Sequence, residues 1–462
     1  MDYKSLYSLR ADCKSARTLA RTLLMCLFPP FGRISHLSPY GLICNPTVRN
    51  IGICNPAIQE CRHFKCLYSH LSDYKSARTL ARTLARTLAR TLYVFIFIFF
   101  SISAFAQDFA LMRRQWTDSL RTATAEVIRD SIIRQDGDSM KLWWTTYGEK
   151  PADGRSLWIS LHGGGGTTPE VNDQQWRNQM RLYRPQEGVY VAPRSPLEAW
   201  DMWCQQPIDS MYRTLIRTMI AHYDVNPDKV YILGYSAGGD GVWRMAPRMA
   251  DHWAAASMMA GHPGDVRLEN LLNTPFMIWC GANDAAYNRN RLDRERGLQM
   301  DSLERTHPGG YIHQTHIMEG KGHWMDREDA AALPWMAQYR RQAWPHYVIW
   351  QQEAVLRPSF YWLSAPAGEL QRGKRVDAEV QGNTIIIRRC DYSSLTLYLS
   401  DELLDLSKPV TVRYCGSDKP QGKGKKVFKG KVTPSADVYR QTLHLRQDPR
   451  FAAPCRITLN FQ

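Results

Sequence analysis

Val230-Tyr231-Ile232-Leu233-Gly234-Tyr235-Ser236-Ala237-Gly238-Gly239 reads as an apolar run, a glycine-bounded turn carrying one serine, and the opening of a helix. A Gly-x-Ser-x-Gly match alone arises by chance in roughly one chain in six of this length, so its placement has to carry the argument. A strand before it and a helical stretch after it, Ala237 to Met249, give a sharp strand-to-helix turn that exposes the serine hydroxyl. Such a turn holds the serine in a strained backbone conformation with neighbouring chain packed close. Gly234 and Gly238 suit it because they bring no side chain.

Working outward, short apolar runs alternate with amphipathic stretches. Lys141–Tyr147, Ser156–Leu161, Gly188–Pro193, Lys229–Leu233, Ala254–Met259, Pro275–Cys280 and Ile312–Met318 are expected as strands. Helices are expected over Asp108–Gln135, Asn172–Tyr183, Asp209–Tyr223, Ala237–Met249, Asn290–Arg305 and Glu328–Trp344. Strands separated by helices of this length imply right-handed crossovers and a mostly parallel sheet with helices on both faces. Ligands of such sheets gather at the carboxyl ends of the strands. After about residue 350 the pattern becomes short and β-rich, with turns at Gly382-Asn383 and in the Gly/Lys-rich 416–425 segment, as in a small antiparallel sandwich. The fold class expected is therefore α/β, with a small C-terminal β-sandwich-like domain.

A serine hydroxyl needs a base, and the tetrahedral intermediate of acyl transfer needs oxyanion donors. Leu161-His162-Gly163-Gly164-Gly165-Gly166 ends the strand at 157–161 and offers backbone N–H groups unobstructed by side chains. Gly164 or Gly165, together with Ala237, are the candidate donors; a merely flexible loop is the alternative. His323, in Gly320-Lys321-Gly322-His323-Trp324, follows the last strand of the alternating region and is the candidate base. Asp284, in Gly281-Ala282-Asn283-Asp284, follows the strand at 275–280 and would orient the imidazole, unless it only caps the next helix. Ser236, Asp284 and His323 stand in the chain order of one class of serine enzymes and not in those of the chymotrypsin or subtilisin type. His162, Trp200, Trp203 and Trp324 are candidates for the substrate pocket. With Trp243, the tryptophans Trp200 and Trp203 form either an aromatic wall or helix packing. Asp240 and Arg244 are spaced to pair on the helix that follows Ser236.

On these motifs, residues 155–345 resemble secreted bacterial α/β-hydrolases of the esterase, polyhydroxybutyrate-depolymerase-like or phospholipase/carboxylesterase kind. The resemblance implies a Ser-Asp-His triad of Ser236, Asp284 and His323 and cleavage of a small-molecule or carbohydrate-linked ester through an acyl-enzyme, with no cofactor or metal. Polyhydroxyalkanoate depolymerases usually carry a cysteine where this chain has Gly164, a departure that counts against a polymer of that kind. Two other readings stay open: a serine peptidase of prolyl-oligopeptidase-like type, and a catalytically inactive binding or adhesion protein.

The formal net charge of +15 suggests an anionic partner until it is located. Residues 1–106 hold 14 Lys/Arg against 4 Asp/Glu, leaving a surplus of only 5 for the other 356 residues, so no nucleic-acid partner is expected. Five cysteines after residue 106 are too few for a dense disulfide framework. The run LYVFIFIFFSI at 92–102, preceded by arginines and followed by Ala104-Phe105-Ala106, reads as a secretory signal and implies a secreted or periplasmic protein. It is short for a bilayer span of about 20 residues, so no stable membrane span is expected. Before it, Ala-Arg-Thr-Leu recurs in tandem from Ala77 to Leu92, a period with no stable supersecondary unit behind it. The organisation expected is a repetitive, non-structural extension at 1–91, a signal at 92–106, a catalytic domain at 107–349 and a β-rich accessory domain at 350–462.

Overall fold

Strands buried on both faces form the centre of the molecule, because their alternate side chains feed two separate cores. In the computed structural model, which describes residues 85–92, 108–416 and 421–461, eight strands make one sheet. They are β1 (Ile132–Gln135), β2 (Asp138–Tyr147), β3 (Arg155–Leu161), β4 (Gly188–Pro193), β5 (Val225–Tyr235), β6 (Ala255–Met259), β7 (Phe276–Gly281) and β8 (His313–Met318). Their order is β1-β2-β4-β3-β5-β6-β7-β8, antiparallel where β2 meets β1 and β4 and parallel from β4 through β8. This is the α/β-hydrolase fold. Leu157, Ile159, Val230, Ile232, Phe276 and Ile278 point to one face, where helices Ile208–Tyr223 and Ala237–Arg248 cover them. Trp158, Tyr190, Tyr231, Leu233, Met277 and Trp279 point to the other, against Tyr183, Leu333 and Met336. Met211, Leu215 and Met219, spaced by four, lay one stripe of the 208–223 helix on the sheet.

The expected strands of this sheet all occur, Gly188–Pro193 with the expected ends and the others with ends displaced by no more than four residues. The helix expected through Gln135 stops at Asp130, and β1 replaces its end. Asp136 and Gly137 take φ of 53° and 89°, the two left-handed residues of a tight hairpin turn, and β-branched Ile132 and Ile133 pair with Lys141 and Met140. Of the helix expected over Glu328–Trp344, only Ala332–Met336 is α-helical. The extension and signal fall outside the described residues except for a short helix at 85–92, which belongs to a separate unit of the chain. Residues 108–461 cluster together.

The remaining strands are β9 (Tyr347–Gln351), β10 (Ser359–Phe360), β11 (Leu363–Ser364), β12 (Arg375–Gln381), β13 (Thr384–Cys390), β14 (Ser394–Leu399), β15 (Val410–Tyr414), β16 (Lys425–Gly430) and β17 (Cys455–Asn460). They form sheets β16-β15-β13-β12-β9 and β10-β11-β14-β17, which enclose a shared core with Val376, Ala378 and Ile385 from one and Leu395, Leu397 and Ile457 from the other. It departs from a purely antiparallel sandwich in two ways. β13 and β15 run parallel, and an unanticipated helix, Ala436–Arg446, capped by Ser435, precedes the last strand.

The sandwich is joined to the eight-stranded sheet by buried charge as well as by packing. Asp251, fully buried below the helix Ala237–Arg248, accepts from Arg357 at 2.8 Å and from Arg446 at 2.7 Å. Burial opposes its ionisation, yet Arg357, His252 and Arg446 hold its carboxyl well below the usual range. Beside it, Arg341 spans Asp228 at 2.9 Å and Asp448 at 2.6 Å. Cys204, Cys280, Cys390, Cys415 and Cys455 are free thiols.

Candidate active site

Ser236 sits between β5 and the helix Ala237–Arg248 with φ 58° and ψ −122°. A side-chain-bearing residue in this region costs about 1–3 kcal/mol and persists only where its surroundings fix it. They do so here. The Ser236 N–H donates to the Met259 carbonyl at the end of β6 at 2.9 Å, and a Cβ on Gly238 would fall inside the Leu161 carbonyl at the end of β3.

The loops after β7 and β8 supply the other two groups. His323 Nε2 lies 2.9 Å from Ser236 Oγ, and His323 Nδ1 lies 2.7 Å from Asp284 Oδ2. A carboxylate only accepts, so Nδ1 carries the proton and Nε2 is left to accept from the serine hydroxyl. Asp284 is buried, with the Arg289 guanidinium 3.9 Å away. The structure thus brings Ser236, Asp284 and His323 into one hydrogen-bonded chain at the carboxyl ends of three strands. The two loops also touch directly, the Asn283 N–H donating to the Lys321 carbonyl at 2.8 Å.

Tyr235, inside the serine motif, has a part that sequence reasoning missed. Its hydroxyl donates to the His323 carbonyl at 2.6 Å and accepts from the Met325 N–H at 3.1 Å. It therefore ties the histidine loop to the serine turn through backbone groups at and just after the histidine. Its position beside the serine is the only signal the sequence carried.

The glycine loop after β3 separates the two candidate donors. The Gly165 N–H is already given to Asn172 Oδ1 at 2.8 Å, so Gly165 does not meet the expectation of a free donor. Asn172 Nδ2 in turn donates to Glu198, whose other oxygen takes Arg194 at 2.6 Å, and the Glu198 carbonyl accepts from the Gly166 N–H. Gly164, with φ 101°, could not be replaced by alanine without placing a Cβ on Asn172 Oδ1. The N–H groups of Gly164 and Ala237 have no hydrogen-bond partner among the described residues. Gly163 lies directly against Ser236, which puts this loop beside the serine. Nothing in the sequence marks Asn172, because its pairing depends on Glu198 and Arg194 further along the chain.

Two of the four pocket candidates turn inward. His162 is buried, bonds Gly163 O through Nδ1 at 2.6 Å and accepts the Ser195 N–H at Nε2 at 3.1 Å. Burial lowers its pKa to about 3, so the ring is a neutral strut of the loop. Trp203 is buried and donates to the His162 carbonyl, and Trp243 packs on Phe276. Trp200 and Trp324 are 63% and 50% exposed. Trp200 lies over Gly166 and meets the exposed Tyr287 at 6.1 Å, while Trp324 leans on Tyr235. Asp240 and Arg244 do not act as the expected pair. Asp240 accepts from the His262 N–H at 2.6 Å, and Arg244 binds Asp265 at 2.5 Å. Burial pushes the Asp240 carboxyl up to about 6. Among the described residues no group of three or more His, Cys, Asp or Glu is placed to hold a metal, and no helix is long and apolar enough to cross a membrane.

No protein-family model matches the chain, and no curated relative matches it. Solved structures do resemble it. A thermostable esterase is similar at 18% identity and a TM-score of 0.38 over 46% of this chain; the match spans 64% of that esterase's length, under two thirds. The BES protein from Bacillus cereus is similar at 11% identity, over 45% of this chain and 94% of its own, with a TM-score of 0.33. FphF, a fluorophosphonate-binding serine hydrolase of Staphylococcus aureus, is similar at 14% identity over 45% and 96%, with a TM-score of 0.32.

Proposed function

We propose that the protein is a serine hydrolase of carboxylic esters that works through an acyl-enzyme on Ser236. The observation that carries this reading is His323, whose two ring nitrogens reach Ser236 Oγ at 2.9 Å and Asp284 Oδ2 at 2.7 Å. As Ser236 Oγ attacks the ester carbonyl, His323 Nε2 takes its proton, and Asp284 stabilises the imidazolium. The carbonyl oxygen becomes an oxyanion and is received by the N–H groups of Gly164 and Ala237. Collapse of the intermediate breaks the bond to the alkoxy group, which leaves with the proton from His323. Water then attacks the acyl carbon, its proton going to His323, and the acid departs as Ser236 recovers its hydrogen. Trp200, Tyr287 and Trp324 offer exposed ring faces for an aryl or sugar group of a small-molecule or carbohydrate-linked ester.

Labelling with a fluorophosphonate probe, followed by turnover of p-nitrophenyl esters of graded chain length beside aminoacyl-nitroanilides, tests the proposal. The expected result is labelling on Ser236 and ester turnover, both abolished in Ser236→Ala. Activity that survives in that variant overturns the reading, and faster turnover of the anilides replaces it with a peptidase.

A further inference from the structure

Away from the serine, a cavity of about 600 Å³ opens between the helix Ile208–Tyr223, the β1 region and residues 445–447. Arg213, Arg217, Arg357 and Arg446 stand on its wall, with His252 and Gln447. Arg357 and Arg446 share a single carboxylate, Asp251. The one acidic side chain lining the cavity, Glu126, is paired with Arg129, and Arg134 is paired with Asp130. That leaves Arg213 and Arg217.

Arg213 and Arg217 lie four apart on one helix, where like charges repel. Neither forms an ion pair with any described residue. Among the described residues Arg217 bonds only the neutral Gln447 side chain, and its buried Nε has no partner. Arg217 is half-buried and Arg213 is exposed on the cavity wall; partial desolvation lowers both guanidiniums, and at Arg213 the repulsion from Arg357 adds to this while Asp209 and Asp251 oppose it. Two adjacent guanidiniums with no carboxylate in direct contact among the described residues, on a cavity the size of an ordinary small-molecule site, match a group with several negative oxygens.

We propose that this cavity binds a small organic molecule carrying a dianionic oxyanion group, a phosphomonoester or a dicarboxylate, held by Arg213 and Arg217 with Arg357 and Arg446 behind them. The site is independent of the serine chemistry.

Calorimetric titration of the full chain with inorganic phosphate, glycerol 2-phosphate and succinate at constant ionic strength tests it. Saturable binding with a Kd of about 1 mM or tighter is expected for at least one of them. Binding should weaken at least tenfold in R213Q/R217Q. The bound anion should raise Tm in the native chain and not in the double variant. Tighter binding of glycerol 2-phosphate than of succinate assigns the phosphomonoester, and the reverse assigns the dicarboxylate. The single variant R213Q, which removes no hydrogen bond, should also lose affinity, so that misfolding of the double variant leaves the test intact. Absence of saturable binding by all three anions, or equal affinity in R213Q and the native chain, overturns the proposal.

Discussion

Replacing Tyr235 by phenylalanine removes one oxygen atom and two hydrogen bonds, and both bonds belong to the loop that carries His323. The Met325 N–H that loses its acceptor is on a fully buried residue, and an unpaired buried donor costs about 1–3 kcal/mol. The His323 carbonyl loses a short bond worth about 1 kcal/mol. The total, about 2–4 kcal/mol, can be borne in two ways. If the loop stays in place, the cost falls on global stability and kcat is unchanged. If the loop shifts toward water, most of the cost is avoided, but Nε2 leaves its 2.9 Å position on Ser236 Oγ. Lys321, Asp326 and Glu328 form exposed ion pairs across this loop, which resist a shift only weakly. The loop should therefore move. Tyr235→Phe is expected to lower kcat about 10- to 100-fold on a p-nitrophenyl ester, with KM nearly unchanged and less than about 2 kcal/mol lost in urea unfolding. Fluorophosphonate labelling should slow in parallel. A variant with native kcat and a stability loss of the full amount would refute the reasoning, because it would show a loop rigid enough to hold His323 without Tyr235.

Two further variants probe buried charge away from the hydrogen-bonded chain. Asp251→Asn keeps the shape of the side chain but leaves Arg357 and Arg446 buried without their carboxylate, and it should cost about 3–5 kcal/mol in chemical unfolding; a loss under 1 kcal/mol would mean that Asp251 does not hold the seam. Asp240→Asn should act with the opposite sign. Because burial raises the folded carboxyl from 3.8 to about 6, the native chain binds an extra proton between those values and loses stability as pH rises through them. The variant should match the native chain near pH 4 and exceed its stability at pH 8 by up to about 3 kcal/mol, and equal unfolding curves at pH 8 would contradict this.

The parts of the fold that were legible are those whose signal is local. Val230–Leu233 and Gly188–Pro193 are apolar on consecutive residues because both faces of their strands are covered, and the 211, 215, 219 stripe repeats with the helical turn. The serine turn was legible for the same reason, since its glycines answer to contacts fixed by the strand-to-helix geometry. What escaped depends on where a distant segment arrives. Ile132 and Ile133 continue a helical spacing from Leu111 onward, and only the Asp136-Gly137 turn shows that they fold back on β2. Trp203 and Trp200 are three residues apart and alike in composition, yet the first is buried on His162 and the second is exposed over Gly166. Hydropathy gives a tryptophan no direction. Gly164 and Gly165 are likewise indistinguishable until Asn172 takes the N–H of one of them.

The capture of Gly165 by Asn172 shows how the candidate site divides its labour. Every group in the proposed reaction is positioned by backbone or by buried side chains: Ser236 by the ends of β3 and β6, His323 by Tyr235, Asp284 by its burial beside Arg289, and the glycine loop by Asn172, Glu198 and the neutral His162. Of the exposed rim, Trp200 and Tyr287 pack on each other and make no hydrogen bond to the chain of Ser236, His323 and Asp284, so on the proposed reading substitutions there alter which ester is held more than how it is cleaved, whereas Trp324 leans on Tyr235 and belongs to both. On the proposed reading, chemistry and selection rest largely on different layers of the same strand ends. The buried layer follows from the order of the strands, whereas the exposed rim is free to vary with the substrate.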